Sequence, residues 1–328
     1  MLTKLVCPDC RVEIELSAAT ARCPQCGRVY PYCNGILSFL TSMERFNEGE
    51  FEDKQKNAWN DSAQMRLKVR GNRLLSFLNK LRIKFSFSGR RDRLFHNEMK
   101  DGDKNRLILD LGCGGGRHYF CDYGKVIGVD PVLELLPMAK SLYAEVYHAG
   151  GYALPFADNT FDYLVSSDVL GHIPFDKKDL IFSEMHRVLK KGGRVVHLIE
   201  TDAVNVWYRY AKKNPALFQK YFIDLPGHVG LELPSALRSR FLKHGFKEVL
   251  FKKFWGNLME IGALGVLFNN EAKDRSIVMR ILVAISKLLS RSLLVREVLH
   301  LFMEPLGILD DHLTPIDHGM CMLVVFEK

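Results

Sequence analysis

The ten residues Leu107–Gly116, LILDLGCGGG, constrain the fold more than any other stretch of the chain. An apolar run ending in Asp110 reads as a buried strand, and Gly112, Gly114 and Gly116 read as the tight turn after it. Without Cβ atoms there, a ligand can lie against bare backbone at the start of the next element. The dinucleotide fingerprint G-x-G-x-x-G requires glycine at position 117, where Arg117 stands instead. A second strand, Lys125–Val129, ends in Asp130, placed to accept hydrogen bonds from two ribose hydroxyls.

Residues 106–200 alternate strand and helix, the pattern of an α/β fold with a parallel sheet and helices on both faces. The strands read are Leu107–Asp110, Lys125–Asp130, Glu145–His148, Phe161–Ser166 and Gly193–Glu200. Ligands of such sheets sit at the C-terminal strand ends, which gathers Asp110, Gly112, Asp130, Tyr152, Asp168 and Glu200 round one crevice.

Asp110-Leu-Gly-Cys-Gly-Gly-Gly116 with Asp130 resembles the S-adenosylmethionine (SAM) site of the class I methyltransferases. The resemblance continues in Leu154–Val165, LPFADNTFDYLV, in Asp168-Val-Leu-Gly-His-Ile173 and in Glu184–Val196. It covers residues 106–255 and the last strand. It implies a Rossmann-like seven-stranded sheet, with Lys247–Phe254 as strand six and Met320–Glu327 as an antiparallel seventh. It further implies SAM as cofactor, contacted by Asp110, Gly112, Cys113, Gly114, Gly116, Asp130, Pro131, Tyr152, Ala153 and Asp168. The family often carries an acid four residues before the Leu-Pro-Phe. Gly150 stands there, which puts adenine recognition on backbone groups and on Tyr152 or Ala153.

Residues 1–40 form a separate unit. Cys7-Pro-Asp-Cys10 and Cys23-Pro-Gln-Cys26 are two C-x-x-C turns twelve residues apart, the spacing of a tetrahedral Cys₄ zinc site. About forty residues bury little core, so metal is expected to hold the unit folded. Chelation is expected to unfold it and leave the catalytic domain's thermal transition largely in place. The continuation through Tyr30 to Leu40 resembles the zinc-ribbon activator subunit of several tRNA, rRNA and protein methyltransferases, here fused in cis. A similar ribbon precedes some rRNA guanine methyltransferases, but theirs carries a histidine ligand. Cys33 is spare and reads as packed. With no thioredoxin-like context and no apolar leader, the cysteines indicate metal in a reducing, cytoplasmic compartment.

The net charge of +8 is uneven: Arg66–Arg106 holds thirteen Lys/Arg against four Asp/Glu, or +9, leaving the remainder near −1. Within the linker 41–105, apolar residues from Leu67 to Leu81 recur at helical spacing with basic neighbours from Arg66 to Lys84, and Phe85–Arg93 breaks that helix. Trp59 reads as docking the linker on the domain. A basic amphipathic helix suits an anionic membrane surface or a phosphate backbone. Residues 256–318 read as a helical lid insertion, apolar over Ile277–Leu309, before the last strand at 319–328.

SAM is already activated, so the enzyme must align an acceptor and, for a hydroxyl, remove a proton. No Asn-Pro-Pro-Tyr or Pro-Cys follows strand four, which argues against adenine N6 and cytosine C5 methylation. His228 and His172 are the candidate bases; a histidine occurs in a segment comparable to that of His228 in quinone-type O-methyltransferases. The expected activity is O-methylation of a small or lipid-linked acceptor, peripheral to a membrane. RNA methylation is the alternative, and a non-catalytic scaffold the third.

Overall fold

Along the strands of the main sheet, successive residues enter two different cores. In the last strand, Met322, Val324 and Phe326 join one buried cluster while Leu323 and Val325 join the other. This period of two on a sheet covered on both faces explains why the strands read as near-continuous apolar runs. The computed structural model describes residues 2–17, 20–40, 90–99, 103–224, 226–256 and 305–328, with Ile277 and Arg280. The basic helix expected over Arg66–Lys84, Trp59, and all of Ile277–Leu309 between Arg280 and residue 305 lie outside the described residues.

Four short strands, β1 (Glu15–Leu16), β2 (Thr20–Arg22), β3 (Val29–Cys33) and β4 (Ile36–Leu37), form an antiparallel N-terminal sheet in sequential order. The main sheet contains β5 (Leu107–Leu111), β6 (Lys125–Asp130), β7 (Glu145–His148), β8 (Phe161–Ser167), β9 (Leu189–Glu200), β10 (Lys247–Phe254) and β11 (Cys321–Glu327). Its order is β10-β11-β9-β8-β5-β6-β7, and β11 runs antiparallel to both neighbours. Strand β9 begins earlier than expected because Leu189 already pairs with Phe161 before a register shift at the Lys190–Gly193 turn.

Helix α1 (Arg90–Met99) buries Phe95 and Met99 on one face, where α2 (Leu136–Lys140) adds Leu136 and Ala139. Helix α1 starts inside the stretch read as a helix break. On the other face lie α3 (Lys178–Val188), with Ile181, Phe182 and Met185, and α6 (Pro234–Lys243), with Leu237 and Phe241. Between them, α4 (Val206–Lys212) is capped by Asn205, whose side chain accepts from the amides of Trp207 and Tyr208. A short α5 (Pro215–Phe218) runs into a π-helical turn, Gln219–Asp224.

The N-terminal unit does not stand apart. Leu5, Ile14, Ala21, Tyr30, Leu37 and Phe39 share one buried cluster with Leu109 and Leu111 of β5. Ser38 forms a parallel bridge to His148, and Phe39 N donates to the His148 carbonyl at 2.7 Å. These bonds cover β7, the outer strand of the main sheet, so that edge is not left open for another chain.

Candidate active site

The order of the main sheet reverses between β5 and β8, which opens a crevice at their C-terminal ends. The glycine turn lies there. Gly112, Gly114 and Gly116 have φ of 68°, 51° and 81°, the left-handed region. At Gly112 space matters as well as φ, since a Cβ would fall 2.5 Å from Cγ2 of Val169. The turn is tied to β6 by the amides of Gly112 and Cys113, which donate to the Val129 carbonyl at 2.9 and 3.0 Å.

Asp130 closes β6 beneath this turn. Its Oδ2 accepts from Gly114 N at 2.7 Å and its Oδ1 from Val132 N at 2.8 Å. Burial pushes its pKa up to about 6, and the two amide bonds only partly oppose that. Asp110 is buried and accepts from Tyr143 Oη at 2.6 Å; the same hydroxyl accepts from Arg117 N at 2.6 Å. Tyr143 therefore pins the far side of the turn, a role with no signal in its local sequence. Cys113 is buried, and burial, with Asp130 and Asp110 beside it, pushes its thiol well up, so it packs as a neutral side chain.

Asp168 follows β8 with φ of 62°, and its Oδ2 accepts from Ser167 Oγ at 3.0 Å and lies 4.0 Å from Arg117 Nη2. Arg117, the residue that breaks the dinucleotide fingerprint, thus faces the second acid of the crevice. Tyr152 packs on the core, and the neighbouring Leu154 N donates to Glu184 at 2.7 Å. Pro131 receives His148 Nε2 on its carbonyl at 2.9 Å.

A second group comes together beyond Asp168. His228 Nε2 meets Glu200 Oε2 at 2.7 Å and its Nδ1 donates to the Phe222 carbonyl of the π-helical turn at 2.8 Å. Burial works against its imidazolium, but the hydrogen bond and charge of Glu200 outweigh it, and its pKa lies above the ordinary value. His172 packs against it, ring centroids 5.0 Å apart, and donates from Nδ1 to the Gly227 carbonyl at 3.1 Å. Burial pushes His172 below its ordinary pKa despite that bond, so its ring is neutral at neutral pH. Both sequence-named histidines therefore occupy one cluster. Glu200, which the sequence put in the crevice without a role, joins them. A separate cleft lies at the opposite strand ends, between Arg106, Asp162 and Lys190, where Lys190 pairs with Asp162 at 2.8 Å.

The four N-terminal cysteines also converge: their sulfurs lie within 4.8 Å of one another, and none of the four is in a disulfide. The two C-x-x-C turns repeat one geometry. Cys10 N and Cys26 N each donate to the sulfur of the first cysteine at 3.4 Å, and Arg11 and Gly27 follow with φ of 62° and 72°. Cys33 lies outside this cluster.

Residues 109–197 match the family described as "Methyltransferase domain". The chain is 26% identical over 203 residues to a demethylmenaquinone methyltransferase of Oceanobacillus iheyensis, covering 52% of this chain and 81% of that one. A Bacillus cereus protein of the same name is 29% identical over 143 residues, covering 40% of this chain and 57% of that one. The family match over residues 109–197 includes the glycine turn and Asp130. The chain carries a SAM-dependent methyltransferase domain. Its fold is also that of a Haemonchus contortus phosphoethanolamine N-methyltransferase solved with SAM, at 17% identity and a TM-score of 0.51. That alignment covers 92% of this chain and 62% of that one. The methyltransferase thus spans little more than half the length of some of its relatives.

Proposed function

We propose that this methyltransferase moves the SAM methyl group to a hydroxyl on a small or lipid-linked acceptor. The observation that carries the reading is the convergence of His172, Glu200 and His228 at the C-terminal ends of β8 and β9. The acceptor oxygen attacks the methyl carbon, the carbon–sulfur bond breaks toward sulfur, and the hydroxyl proton passes to this cluster. His172, neutral and with Nδ1–H committed to Gly227, carries its lone pair on Nε2 and suits proton acceptance. His228 and Glu200 hold the neighbouring charge. On the cofactor side, Asp130 accepts from the ribose hydroxyls while the glycine turn lies against the methionine portion. Tyr152 and Ala153 flank the adenine.

The relatives' name supports a quinone-like, lipid-linked acceptor. So do the exposed apolar side chains Val204, Val206 and Val229, which flank Glu200 and His228 in the chain, and Leu306, Leu309 and Leu313 in the helical segment 305–313. No helix among the described residues is long and apolar enough to cross a membrane, so the enzyme would approach lipid from the side. The ribbon thiols, converging on two matching turns, fit tetrahedral zinc at Cys7, Cys10, Cys23 and Cys26. When bound, zinc cross-links the two turns.

The test is a transfer assay with methyl-labelled SAM offered to total lipid and total RNA in parallel. Label in a lipid fraction, lost in His172→Gln, is the expected result. Label in RNA alone would overturn the acceptor assignment in favour of the RNA reading.

A further inference from the structure

The same cluster has features that a base alone does not need. A carbonyl oxygen can only accept, so Nδ1 of both His172 and His228 carries hydrogen, fixed by the main chain at Gly227 and Phe222. Each ring is thereby turned to offer Nε2 elsewhere. Imidazoles anchored through one nitrogen by a backbone carbonyl are the outer-shell pattern of metal-ligating histidines. One ligating atom from each of His172, Glu200 and His228 lies within 4.8 Å of the others.

The scaffold beneath is rigid. Val229 N and Gly230 N both donate to the Gly171 carbonyl, at 3.1 and 3.0 Å, which zips the segment carrying His172 to the segment carrying His228. A Cβ at Gly230 would fall 1.8 Å from the Ile173 carbonyl oxygen, so the two segments meet at backbone contact. Glu200 ends β9, a strand paired on both sides. Glu200 Oε2 and His228 Nε2 share a proton at 2.7 Å.

We propose that His172, Glu200 and His228 hold a divalent first-row transition-metal ion. Two imidazoles and a carboxylate suit such ions and leave positions open for an acceptor. Metal–ligand bonds of about 2.0–2.2 Å put neighbouring ligand atoms roughly 3–3.5 Å apart, so the 2.7 Å pair of His228 Nε2 and Glu200 Oε2 opens slightly to admit the ion, with His172 within 4.8 Å of both. In its catalytic aspect the proposal rests on the hydroxyl-acceptor reading. With the ion bound, the His172 Nε2 lone pair would be a ligand and no longer the proton acceptor; the ion would instead lower the pKa of the hydroxyl by Lewis acidity, and the proton would leave to water.

The test uses the full chain as purified, its cysteine site left loaded, titrated with Co²⁺ alone. The expected result is one equivalent of cobalt with weak ligand-field bands and no thiolate-to-cobalt charge transfer. That signal should be absent in Glu200→Gln and in His172→Gln, both of which should still bind SAM by calorimetry. Cobalt that appears only with thiolate bands in the wild-type chain overturns the proposal, as does uptake unchanged in both variants. The wild-type spectrum alone separates the two kinds of ligation, so a variant that fails to fold does not disarm the test. If the non-thiolate cobalt site is found and no hydroxyl acceptor takes methyl, the ion site stands and the acceptor reading falls.

Discussion

Asp130 shows how far a single residue could be read in advance and where that reading stopped. Its position at the end of a strand, twenty residues after Asp110, marked it for ribose. Its two bonds to the amides of Gly114 and Val132, and the pKa of about 6 that burial imposes, required the folded surroundings. Only the ionised carboxylate can accept from two hydroxyls. SAM affinity should therefore hold above pH 7 and fall about tenfold per unit well below pH 6. Asp130→Ala should abolish that dependence and cost on the order of 2 kcal/mol in binding. Calorimetry from pH 5 to 8 reads both, and unchanged affinity in the variant refutes the ribose role. Arg11 was not legible at all. It occupies the left-handed position that Gly27 fills in the matching turn, at a backbone cost of about 1 kcal/mol. Its guanidinium reaches both oxygens of Glu184 at 2.8 and 3.1 Å and the Leu154 carbonyl at 3.2 Å, partners more than 140 residues away.

Among the elements, the strands were legible because a sheet buried on both faces writes apolar runs bounded by turns. The two cysteine turns were legible because each C-x-x-C is a local sequence pattern, and the four sulfurs do converge. The docking of the ribbon was not, since it depends on side chains that meet only after both units fold. The ribbon grips the segment 148–157 at both ends: Phe39 N to the His148 carbonyl, then Val6 N to the Pro155 carbonyl at 3.0 Å and Ala157 N to the Lys4 carbonyl at 3.2 Å. Between these grips lie Tyr152 and Ala153. Ser38 Oγ also meets His148 Nδ1 at 2.9 Å, and His148 reaches Pro131 next to Asp130. These contacts argue against the expectation that chelation spares the catalytic domain. Removing metal should lower the thermal transition of the whole chain, because Cys7 and Cys23 lie in the cluster that includes Leu109. SAM affinity should fall with it. Arg11→Gly, which keeps the turn, should give a smaller loss of the same kind. Calorimetric scans with and without chelator decide it: an unshifted main transition would favour independent units.

At the scale of the whole molecule, two buried groups set opposite acid responses. His197 is fully buried in β9, its Nδ1 on Ser166 Oγ and its ring near Phe241, and burial lowers its pKa to about 3. Below pH 6.5 the unfolded chain takes a proton that native His197 refuses, so stability falls by about 1.4 kcal/mol per unit down to about pH 3. Asp130 acts the other way. With its native pKa about 6, the folded state takes the proton first, and stability rises at the same slope between pH 6 and about 4. The two effects offset each other across that window. Asp130→Ala without cofactor should thus lose stability faster than wild type between pH 6 and 4, and His197→Gln should lose it more slowly. Urea midpoints against pH would show this, and parallel curves for all three proteins would refute it. The order of the main sheet also bears on how the protein is made. Strand β11 lies between β9 and β10, and its Phe326 stacks on Phe241 of α6 at 4.2 Å. A ribosome delivers β10 first and reaches β11 only after residues 255–320, a delay of about 3–13 s at ordinary synthesis rates. For that interval the nascent chain already carries β5 to β9 and the whole glycine turn. Strand β10 waits with its apolar side unpaired, which makes this window the one in which a chaperone has most to cover.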